Sequence, residues 1–142
     1  MARLHEHQGK TILREHGLDV PRGGVARSPE EAERAAREIG GPVVVKIQAW
    51  TTGRAAIGGV KMAETPGGAA EAARALLGMR VGNFPVAEVL VEERVKIARE
   101  LFVSLTIDDA ARRPVLLVSL DGGSGIEERA GGVARVPVHV TS

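Results

Sequence analysis

Two helix starts, each marked by a capping residue followed by proline, organise the first two thirds of the chain. Ser28 precedes Pro29 in "SPEEAERAAREIGG", and Thr65 precedes Pro66 in "TPGGAAEAARALLGM". A serine or threonine cap with proline in the first turn is typical of a helix start, and a glycine after the last turn favours its end. We therefore predict two helices with both ends defined.

Runs rich in β-branched residues surround these two helices. Strands are predicted in four segments: "LDVPRGGVARS", "PVVVKIQ", "GGVKMAE" and "PVAEVLVEERV". Such runs, bounded by glycine and proline, are typical of strands. The resulting order across residues 22–93 is β-α-β-β-α-β, a split βαβ arrangement in which both helices cover one face of a sheet. The predicted fold class is therefore α+β.

The segments on either side of this unit follow different patterns. In "LHEHQGKTILREH", Leu4, Ile12 and Leu13 lie near one helical face. Gly17 then suits a helix end, so a short leading helix is predicted. Later, "RELFVSLTIDDAARRPVLLVSLDGGSG" predicts a hairpin, whereas "DGGSGIEERAGGVARVPVHVTS" is rich in glycine and valine and has no strong periodicity. Because the chain stops there without a closing element, we expect it to be a fragment.

Composition restricts the class of protein and of partner. The 19 basic and 18 acidic residues are interspersed and leave a net charge of +1, which argues against a nucleic-acid-binding surface. The absence of cysteine excludes disulfides and thiolate metal sites. The charged N-terminal segment lacks the apolar core of a signal peptide, and no apolar run is long enough for a membrane span. We expect a soluble, cytoplasmic protein without membrane or nucleic-acid partners.

Lys46 interrupts the apolar run "VVVKIQ". Alternation along a strand places it on the face opposite to Val45 and Ile47. A lysine in a central strand is costly unless its ammonium reaches water or an anion. Two interpretations remain open: the side chain extends along the sheet to solvent, or it meets an anion such as phosphate.

The loop "TTGRAAIGG" that follows favours the anion without deciding for it. Gly53 permits close backbone approach, and Arg54 offers a planar guanidinium to phosphate oxygens. The loop matches neither a P-loop nor a dinucleotide-binding fingerprint. An ordinary long hairpin loop has the same composition, so both interpretations stay open.

Other polar residues give weaker signals. Glu92 and Glu100 flank the connection "EERVKIARE", where their carboxylates either line a cleft or solvate a linker. His5 and His7 are two residues apart on a predicted helix, so they point in different directions and do not form a metal pair. No serine-nucleophile motif of the G-x-S-x-G type is present.

The ordered segments together resemble a known family. "LHEHQGKTILREHGLDVPRG", "VVVKIQAWTTGRAAIGGVKMAE" and "VLVEERVKIARELFVSL" are similar to the start of the β subunits of succinyl-CoA synthetases, ADP-forming acyl-CoA ligases built on the ATP-grasp fold. The resemblance spans essentially the whole chain. It implies that residues 1–98 form the N-terminal ATP-grasp subdomain with a leading helix. Residues 99–142 would then begin the second ATP-grasp subdomain.

The resemblance also implies roles for individual residues. ATP phosphates are expected to meet a strand lysine and a glycine-arginine loop, and adenine and ribose to meet the segment that joins the subdomains. The implied nucleotide-binding residues are Lys46, Gly53, Arg54, Ala55, Glu92, Val95 and Glu100. Pro21 matches a proline near the base in ATP-preferring members, which favours ATP over GTP. No catalytic residue and no metal ligand of this chain is implied.

The implied reaction belongs to a larger assembly. In it, ATP, succinate and CoA give ADP, phosphate and succinyl-CoA through a phosphohistidine on the α subunit. The resemblance places the Mg²⁺ ligands and the CoA-ligase domain beyond Ser142, and it makes the α subunit the expected partner. We therefore expect this chain to be inactive alone.

Three positions depart from the family pattern. Ala55 stands where glycine is usual, Ala56 replaces a lysine, and Trp50 replaces a histidine. Alanine disfavours positive φ and the missing lysine removes a charge, so we expect nucleotide affinity or the acid substrate to differ. The alternatives are another ATP-grasp ligase, for malate, citrate or a carboxylate and an amine, and a non-catalytic interaction domain that retains the fold.

Overall fold

A computed structural model describes residues 4–51, 53–122 and 132–139 of the chain. The chain divides into two units, Met1–Val95 and Lys96–Ser142. The mixture of helices and antiparallel sheets confirms the α+β class. Within the described ranges, no helix is long and apolar enough to cross a membrane. The predicted domain limits, 1–98 and 99–142, stay a prediction.

The first unit combines helices with a four-stranded antiparallel sheet. Its helices are α1 (Glu6–Glu15), α2 (Pro29–Ile39) and α3 (Pro66–Leu76). Its strands are β1 (Gly23–Ala26), β2 (Val43–Ile47), β3 (Val60–Ala63), β4 (Arg80–Val81), β5 (Phe84–Pro85) and β6 (Val89–Glu93). The sheet has the order β1-β6-β2-β3, and β4 pairs with β5 in a separate ribbon. The predicted β-α-β-β-α-β order is confirmed, and the β4–β5 ribbon was not predicted.

The predicted caps start both of the helices that pack on the sheet. Ser28 Oγ accepts a hydrogen bond from the Glu31 backbone N–H at 3.2 Å. Thr65 Oγ1 accepts one from the Gly68 backbone N–H at 3.1 Å. Gly40 follows α2 in the left-handed conformation, with a φ of 76°, which glycine adopts without steric cost. The local signals in the sequence therefore fix where these helices begin and where α2 ends.

The core of the first unit lies between the sheet and the helices α2 and α3. β2 and β6 contribute alternate aliphatic side chains, and the helices contribute alanines, whose small side chains allow a close approach. The largest fully buried side chains are Val43, Val45, Ile47, Leu76, Val89 and Val91. Burial of each contributes about 1.5–3 kcal/mol to folding. This core fixes β2, and with it the direction in which Lys46 leaves the strand.

The opposite face of the sheet carries both polar and aliphatic side chains, and α1 lies on this side. Lys46 and Glu92 lie on this face, and α1 meets them with charged side chains. Leu4, Ile12 and Leu13 are 58%, 45% and 44% exposed, and none of the residues in α1 is buried. The leading helix is confirmed, but the apolar residues that predicted it do not become buried, because the buried charges of the sheet require charged partners.

The second unit contains a three-stranded antiparallel sheet. Its strands are β7 (Phe102–Asp108), β8 (Arg113–Ser119) and β9 (Ala134–Pro137), in the order β7-β8-β9. The predicted hairpin is confirmed: Asp108 Oδ1 accepts hydrogen bonds from the backbone N–H groups of Ala110 and Ala111 in its turn. In the segment after it, where no strand was predicted, β9 pairs with β8. Residues 123–131 and 140–142 of that segment lie outside the described residues.

One face of β7 is apolar and exposed. Val103, Leu105 and Ile107 alternate along the strand and are 63%, 65% and 59% exposed. Their spacing of two residues places them on the same face of the sheet. A row of exposed aliphatic side chains is a surface on which another protein segment can pack.

Candidate functional site

Five charged side chains meet between α1 and the sheet of the first unit and form one charged cluster. They are Glu6, Lys10, Lys46, Arg54 and Glu92. α1 supplies the first two, and β2, the loop after it and β6 supply the others. Three cations face two carboxylates, so the charged cluster has an excess of positive charge. Such an excess in a partly buried position attracts anions.

Lys46 lies at the centre of the charged cluster. Its Nζ is 2.7 Å from Glu92 Oε2 and 3.1 Å from Glu6 Oε1, and its side chain is 20% exposed. Burial alone would lower the pKa of Lys46, but the hydrogen bond to Glu92 and the charge of Glu6 outweigh burial and raise the pKa above its usual value. The predicted face of Lys46 is confirmed. Its ammonium group contacts two anions that belong to the protein itself, the carboxylates of Glu6 and Glu92.

Glu6 contacts all three cations of the charged cluster. Its Oε1 lies 2.9 Å from Lys10 Nζ and 3.1 Å from Lys46 Nζ, and its Oε2 lies 2.6 Å from Arg54 Nη2. The contact with Arg54 is an ion pair by distance without an aligned hydrogen bond. Burial raises the pKa of Glu6, but the hydrogen bond from Lys10 and the charges of Lys46 and Arg54 lower it to about 2. Glu6 is therefore an anion at neutral pH.

Glu92 is a buried carboxylate in β6, with 3% of its surface exposed. Its two oxygens accept hydrogen bonds from Lys46 and Lys10. An unpaired carboxylate at this depth would be strongly destabilising, and the two ammonium groups compensate its charge. The resemblance assigns Glu92 to the base and ribose of a nucleotide, and that contact stays a prediction.

A cavity of about 160 Å³ opens beside Glu92, where α1 faces β1 and β6. Pro21 and Lys10 are also among its lining residues. Ligand pockets usually measure about 300–1,000 Å³, so this cavity alone is too small for a whole nucleotide. It is nevertheless the place where Pro21 and Glu92, both implied by the resemblance, line the same space.

The loop between β2 and β3 brings Arg54 to the charged cluster. Arg54 Nη1 donates a hydrogen bond to the Ile47 carbonyl at 3.2 Å, which holds the guanidinium against the end of β2. Gly53 and Gly58 have φ values of 65° and 73°, a region that favours glycine. Gly59 passes close to β2, where an added Cβ would lie 2.5 Å from the Ile47 side chain. The glycines of the loop therefore have defined structural roles.

Ala55 does not occupy a backbone conformation that requires glycine. In the part of the chain that the structure describes, Arg112 is the non-glycine residue with a positive φ. The Ala55 carbonyl accepts a hydrogen bond from Gly58 N–H at 3.1 Å, and the Gly53 carbonyl accepts one from Ala56 N–H at 2.9 Å. Ala55 therefore carries no backbone strain from a positive φ, and the expected effect of Ala55 and Ala56 on nucleotide affinity or on the acid substrate stays a prediction.

Val95 and Glu100 lie on the segment after β6. Val95 is the last residue of the first unit and is 48% exposed. Glu100 is an exposed residue of the second unit, where its carbonyl accepts a hydrogen bond from Gly122 N–H at 2.9 Å. The contact of either residue with a nucleotide stays a prediction.

Trp50 lines a second cavity of the first unit. This cavity measures about 500 Å³ and is mostly apolar, with Phe84 on its wall. The Trp50 ring stacks on the His5 ring, with centroids 4.8 Å apart and an angle of 25° between the planes. The tryptophan that replaces a histidine in the family pattern therefore packs against the residue that precedes α1.

Neither Glu6 nor Lys10 was predicted from the sequence as a site residue. Their spacing of four residues on a predicted helix is a signal that could have paired them, because side chains four apart are neighbours on a helix surface. No local spacing in the sequence predicts that they meet Lys46, which is 40 residues from Glu6. It depends on how α1 crosses the sheet.

The comparison with protein families covers nearly the entire chain. A model of the ATP-grasp domain matches residues 3–139. The chain belongs to the ATP-grasp family. The ATP-grasp fold that the resemblance implied is thereby confirmed.

Several similar proteins in this family are succinate–CoA ligases by name. The β subunit of the GDP-forming succinate–CoA ligase of Thermus thermophilus is 50% identical over 127 residues, which are 89% of this chain and 34% of that protein. The β subunit of the ADP-forming enzyme of Chloroflexus aurantiacus is 43% identical over 143 aligned residues, 98% of this chain and 38% of that protein. The resemblance to these β subunits is confirmed, and this chain spans little more than a third of their length.

Solved ATP-grasp relatives share the fold. The dinucleotide-forming acetyl-coenzyme A synthetase 1 of Ca. Korarchaeum cryptofilum, in complex with coenzyme A, Ca-AMPCP and HgCl+, matches with a TM-score of 0.81 and 28% identity. The match covers 97% of this chain and 61% of that one. A second structure of that synthetase, with coenzyme A, acetyl-coenzyme A and a phosphorylated phosphohistidine segment, matches with a TM-score of 0.73. The fold of this chain is therefore that of acyl-CoA synthetases.

Proposed function

We propose that this chain is the nucleotide-binding part of the β subunit of an ADP-forming succinate–CoA ligase. Its relatives at 43–50% identity carry the name of that subunit in ADP-forming or GDP-forming enzymes. One structural observation carries the proposal: Lys46 and Arg54 converge on a single carboxylate, that of Glu6, at 3.1 and 2.6 Å. Two cations that share one carboxylate are also spaced to share one phosphate group.

The charged cluster suits the chemistry of phosphoryl transfer, in which the protein mainly positions the phosphates and neutralises their charge. Lys46 is fixed by the buried strand β2 and by Glu92, and Arg54 is fixed by the Ile47 carbonyl. Cations that are already in place need little reorganisation when a phosphate arrives. In this proposal Lys46 and Arg54 bind phosphate oxygens, and the backbone of Gly53 to Ala55 lies alongside them.

For the nucleotide we propose ATP, with its base near the cavity that Pro21 and Glu92 line. Val95 and Glu100 are proposed to complete the contacts with base and ribose. The similar proteins include both a GDP-forming and an ADP-forming enzyme, so the choice of ATP rests on Pro21. Stronger binding of GTP than of ATP would therefore overturn this choice without affecting the phosphate site.

The rest of the reaction is proposed to involve residues outside this chain. Among the described residues, no group of three or more histidines, aspartates or glutamates is placed to hold a metal ion. The carboxylates of the charged cluster are already paired with cations. We propose that the Mg²⁺ ligands, the CoA site and the phosphohistidine of an α subunit belong to the larger enzyme, and that this enzyme acts in the cytoplasm.

Nuclear magnetic resonance of the 142-residue chain tests the proposal residue by residue. On titration with Mg-ATP, we expect saturable shifts of the amide signals of Lys46 and of residues 53–55, at millimolar nucleotide because the site is incomplete. Tripolyphosphate should shift the same loop signals. Adenosine should instead shift the amide signals of Glu92 and of Arg22, the residue that follows Pro21. Unchanged loop and Lys46 signals at millimolar ATP would contradict the proposed function.

A further inference from the structure

Glu6 occupies the space between the two cations that are proposed to bind phosphate. Its carboxylate contacts Lys46 with one oxygen and Arg54 with the other, at 3.1 and 2.6 Å. A carboxylate that bridges two cations in this way resembles a phosphate group in charge and in the position of its oxygens. Glu6 and a nucleotide phosphate therefore require the same two partners.

We propose that Glu6 takes the place of a nucleotide phosphate in the empty protein, and that a bound polyphosphate displaces its carboxylate from Lys46 and Arg54. The inference rests on the proposed function. It makes Glu6 a residue that sets nucleotide affinity, because every polyphosphate ligand competes with it for the same cations. A ligand must exceed the attraction of this internal anion before it binds.

Lys46 can exchange one anion for another without moving. Its ammonium has three N–H donors, and one of them is directed to Glu92 at 2.7 Å. Glu92 is buried in β6 and remains paired with Lys10. Lys46 therefore stays in position while a phosphate oxygen replaces the oxygen of Glu6.

Glu6 does not become unpaired when it leaves Lys46 and Arg54. Lys10 follows it by four residues on α1, and Lys10 Nζ lies 2.9 Å from Glu6 Oε1. This pair lies within one helix, so it can persist after a rotation of the Glu6 side chain. The displaced carboxylate therefore keeps a cation beside it, which lowers the cost of the exchange.

α1 itself is attached to the sheet mainly by polar contacts. The His7 backbone N–H donates to Gln48 Oε1 at 3.2 Å, and the His7 ring lies 3.0 Å from a Glu88 oxygen. None of the residues in the helix is buried. A small shift of α1 therefore sacrifices little apolar contact, which permits Glu6 to withdraw.

A matched pair of variants on α1 tests the inference. Glu6→Gln removes the competing charge and nearly preserves the side-chain shape, and Glu15→Gln removes a charge from the exposed end of the same helix. We expect Glu6→Gln to bind tripolyphosphate and Mg-ATP about tenfold more tightly than the unaltered chain, a change of about 1.4 kcal/mol in binding free energy. Glu15→Gln should bind with nearly unchanged affinity. Isothermal titration calorimetry on the full 142-residue chain measures these constants.

The possible results separate this inference from the proposed function. Equal or weaker binding by Glu6→Gln, together with ATP binding that Lys46→Ala weakens, would overturn the inference and leave the proposed function in place. Absence of tripolyphosphate and ATP binding in the unaltered chain and in every variant would overturn both. Binding that appears only in Glu6→Gln would support both.

Glu6→Asp provides a second variant in case Glu6→Gln does not fold. It keeps the charge but shortens the side chain by one methylene, so its carboxylate reaches Lys46 and Arg54 less well. We expect its affinity for tripolyphosphate to exceed that of the unaltered chain. In the unaltered chain, the nuclear Overhauser contact between the side-chain protons of Glu6 and Lys46 should disappear on saturation with tripolyphosphate. Its persistence would overturn the inference.

Discussion

Glu6 and Lys46 keep their charges because each is paired with an opposite charge in a partly buried position. The Glu6 pKa of about 2 and the raised pKa of Lys46 have the same origin, since each group stabilises the ionised form of the other. The ion pairs of the charged cluster therefore link folding to pH. Protonation of Glu6 would leave three cations facing Glu92 alone.

The first prediction concerns this linkage. The pKa of Glu6 falls from an ordinary value of 4.5 to about 2 in the folded protein, so the unfolded chain binds the proton more readily. The stabilisation is therefore complete above pH 4.5 and is lost as the pH falls toward 2. We expect the contribution of Glu6 to the free energy of unfolding to be on the order of 2 kcal/mol after solvent screening. Urea unfolding of the unaltered chain and of Glu6→Gln should differ by this amount at neutral pH and converge near pH 2. A difference that does not change with pH would contradict the assignment.

Individual residues of the site were predictable where a local rule applies. Strand alternation gave the face of Lys46, and the composition of the loop indicated an anion partner for Arg54. Glu6 could not be predicted as that anion, because it lies 40 residues before Lys46 and meets it only through the packing of α1. For the same reason, the sequence could not show that Lys10 shares Glu92 with Lys46.

Among the elements, α1 shows that an apolar helical face does not always become the buried one. Lys10 contacts the buried carboxylate of Glu92, whereas the Ile12 side chain is 45% exposed. We therefore expect the loss of a charged side chain on this helix to lower the free energy of unfolding more than the loss of an aliphatic one. We expect the polar contacts of α1 with the sheet to contribute more to stability than its aliphatic residues do.

The second prediction compares two substitutions on α1. Lys10→Ala leaves Glu92 with one cation fewer, so we expect it to lower the free energy of unfolding by about 2 kcal/mol. Ile12→Ala removes an exposed side chain and should change it by less than about 0.5 kcal/mol. Urea denaturation of both variants provides the measurement. A larger loss for Ile12→Ala would show that α1 packs through its apolar face.

The third prediction concerns the loop between β2 and β3. A Cβ on Gly59 would lie 2.5 Å from the Ile47 side chain and 3.0 Å from the Arg54 carbonyl. We therefore expect Gly59→Ala to destabilise the chain by about 1–3 kcal/mol through overpacking. Gly67→Ala is the control, because a Cβ at this position in α3 meets no atom within 4 Å. That variant should be stabilised by about 0.5–1 kcal/mol. Equal melting temperatures for the two would contradict the packing described for the loop.

The elements were predictable to different degrees. α2 and α3 have capping residues and prolines that fix their starts, so their positions followed from the sequence. The β4–β5 ribbon was missed because strands of two residues are too short to show alternation, and β9 was missed because it lies in a glycine-rich segment without clear periodicity. These short strands form because a longer strand or a tight turn offers a partner, which is a tertiary effect.

On the scale of the whole molecule, the two units differ in how their apolar residues are distributed. The first unit buries its aliphatic residues between the sheet and two helices. In the second unit, three aliphatic residues of β7 form an exposed row: Val103, Leu105 and Ile107. The chain spans little more than a third of the length of its curated relatives. We therefore propose that the activity of the complete enzyme needs residues beyond this chain.

The fourth prediction concerns this exposed row. Leu105→Lys places a charge in the middle of the apolar face of β7, where Leu105 is 65% exposed. We expect the unaltered chain to self-associate through this row at high concentration, and Leu105→Lys to reduce that association without lowering stability. Met62→Lys is the control, because Met62 is similarly exposed, at 62%, but lies on β3 of the first unit. Sedimentation velocity of both variants gives the result, and equal self-association in the two would show that β7 is not the associating surface.

The affinity of ATP for variants of Lys46 and Arg54 tests the central claim most directly. Isothermal titration calorimetry of Lys46→Ala and Arg54→Ala should show binding weakened about tenfold or more, since each removes a hydrogen bond from a charged group worth about 1.5–3 kcal/mol. Lys61→Ala, which removes an exposed lysine from β3, should bind ATP as the unaltered chain does. Circular dichroism confirms that each variant is folded. Unchanged ATP affinity in both Lys46→Ala and Arg54→Ala would contradict the assignment of the charged cluster as the phosphate site.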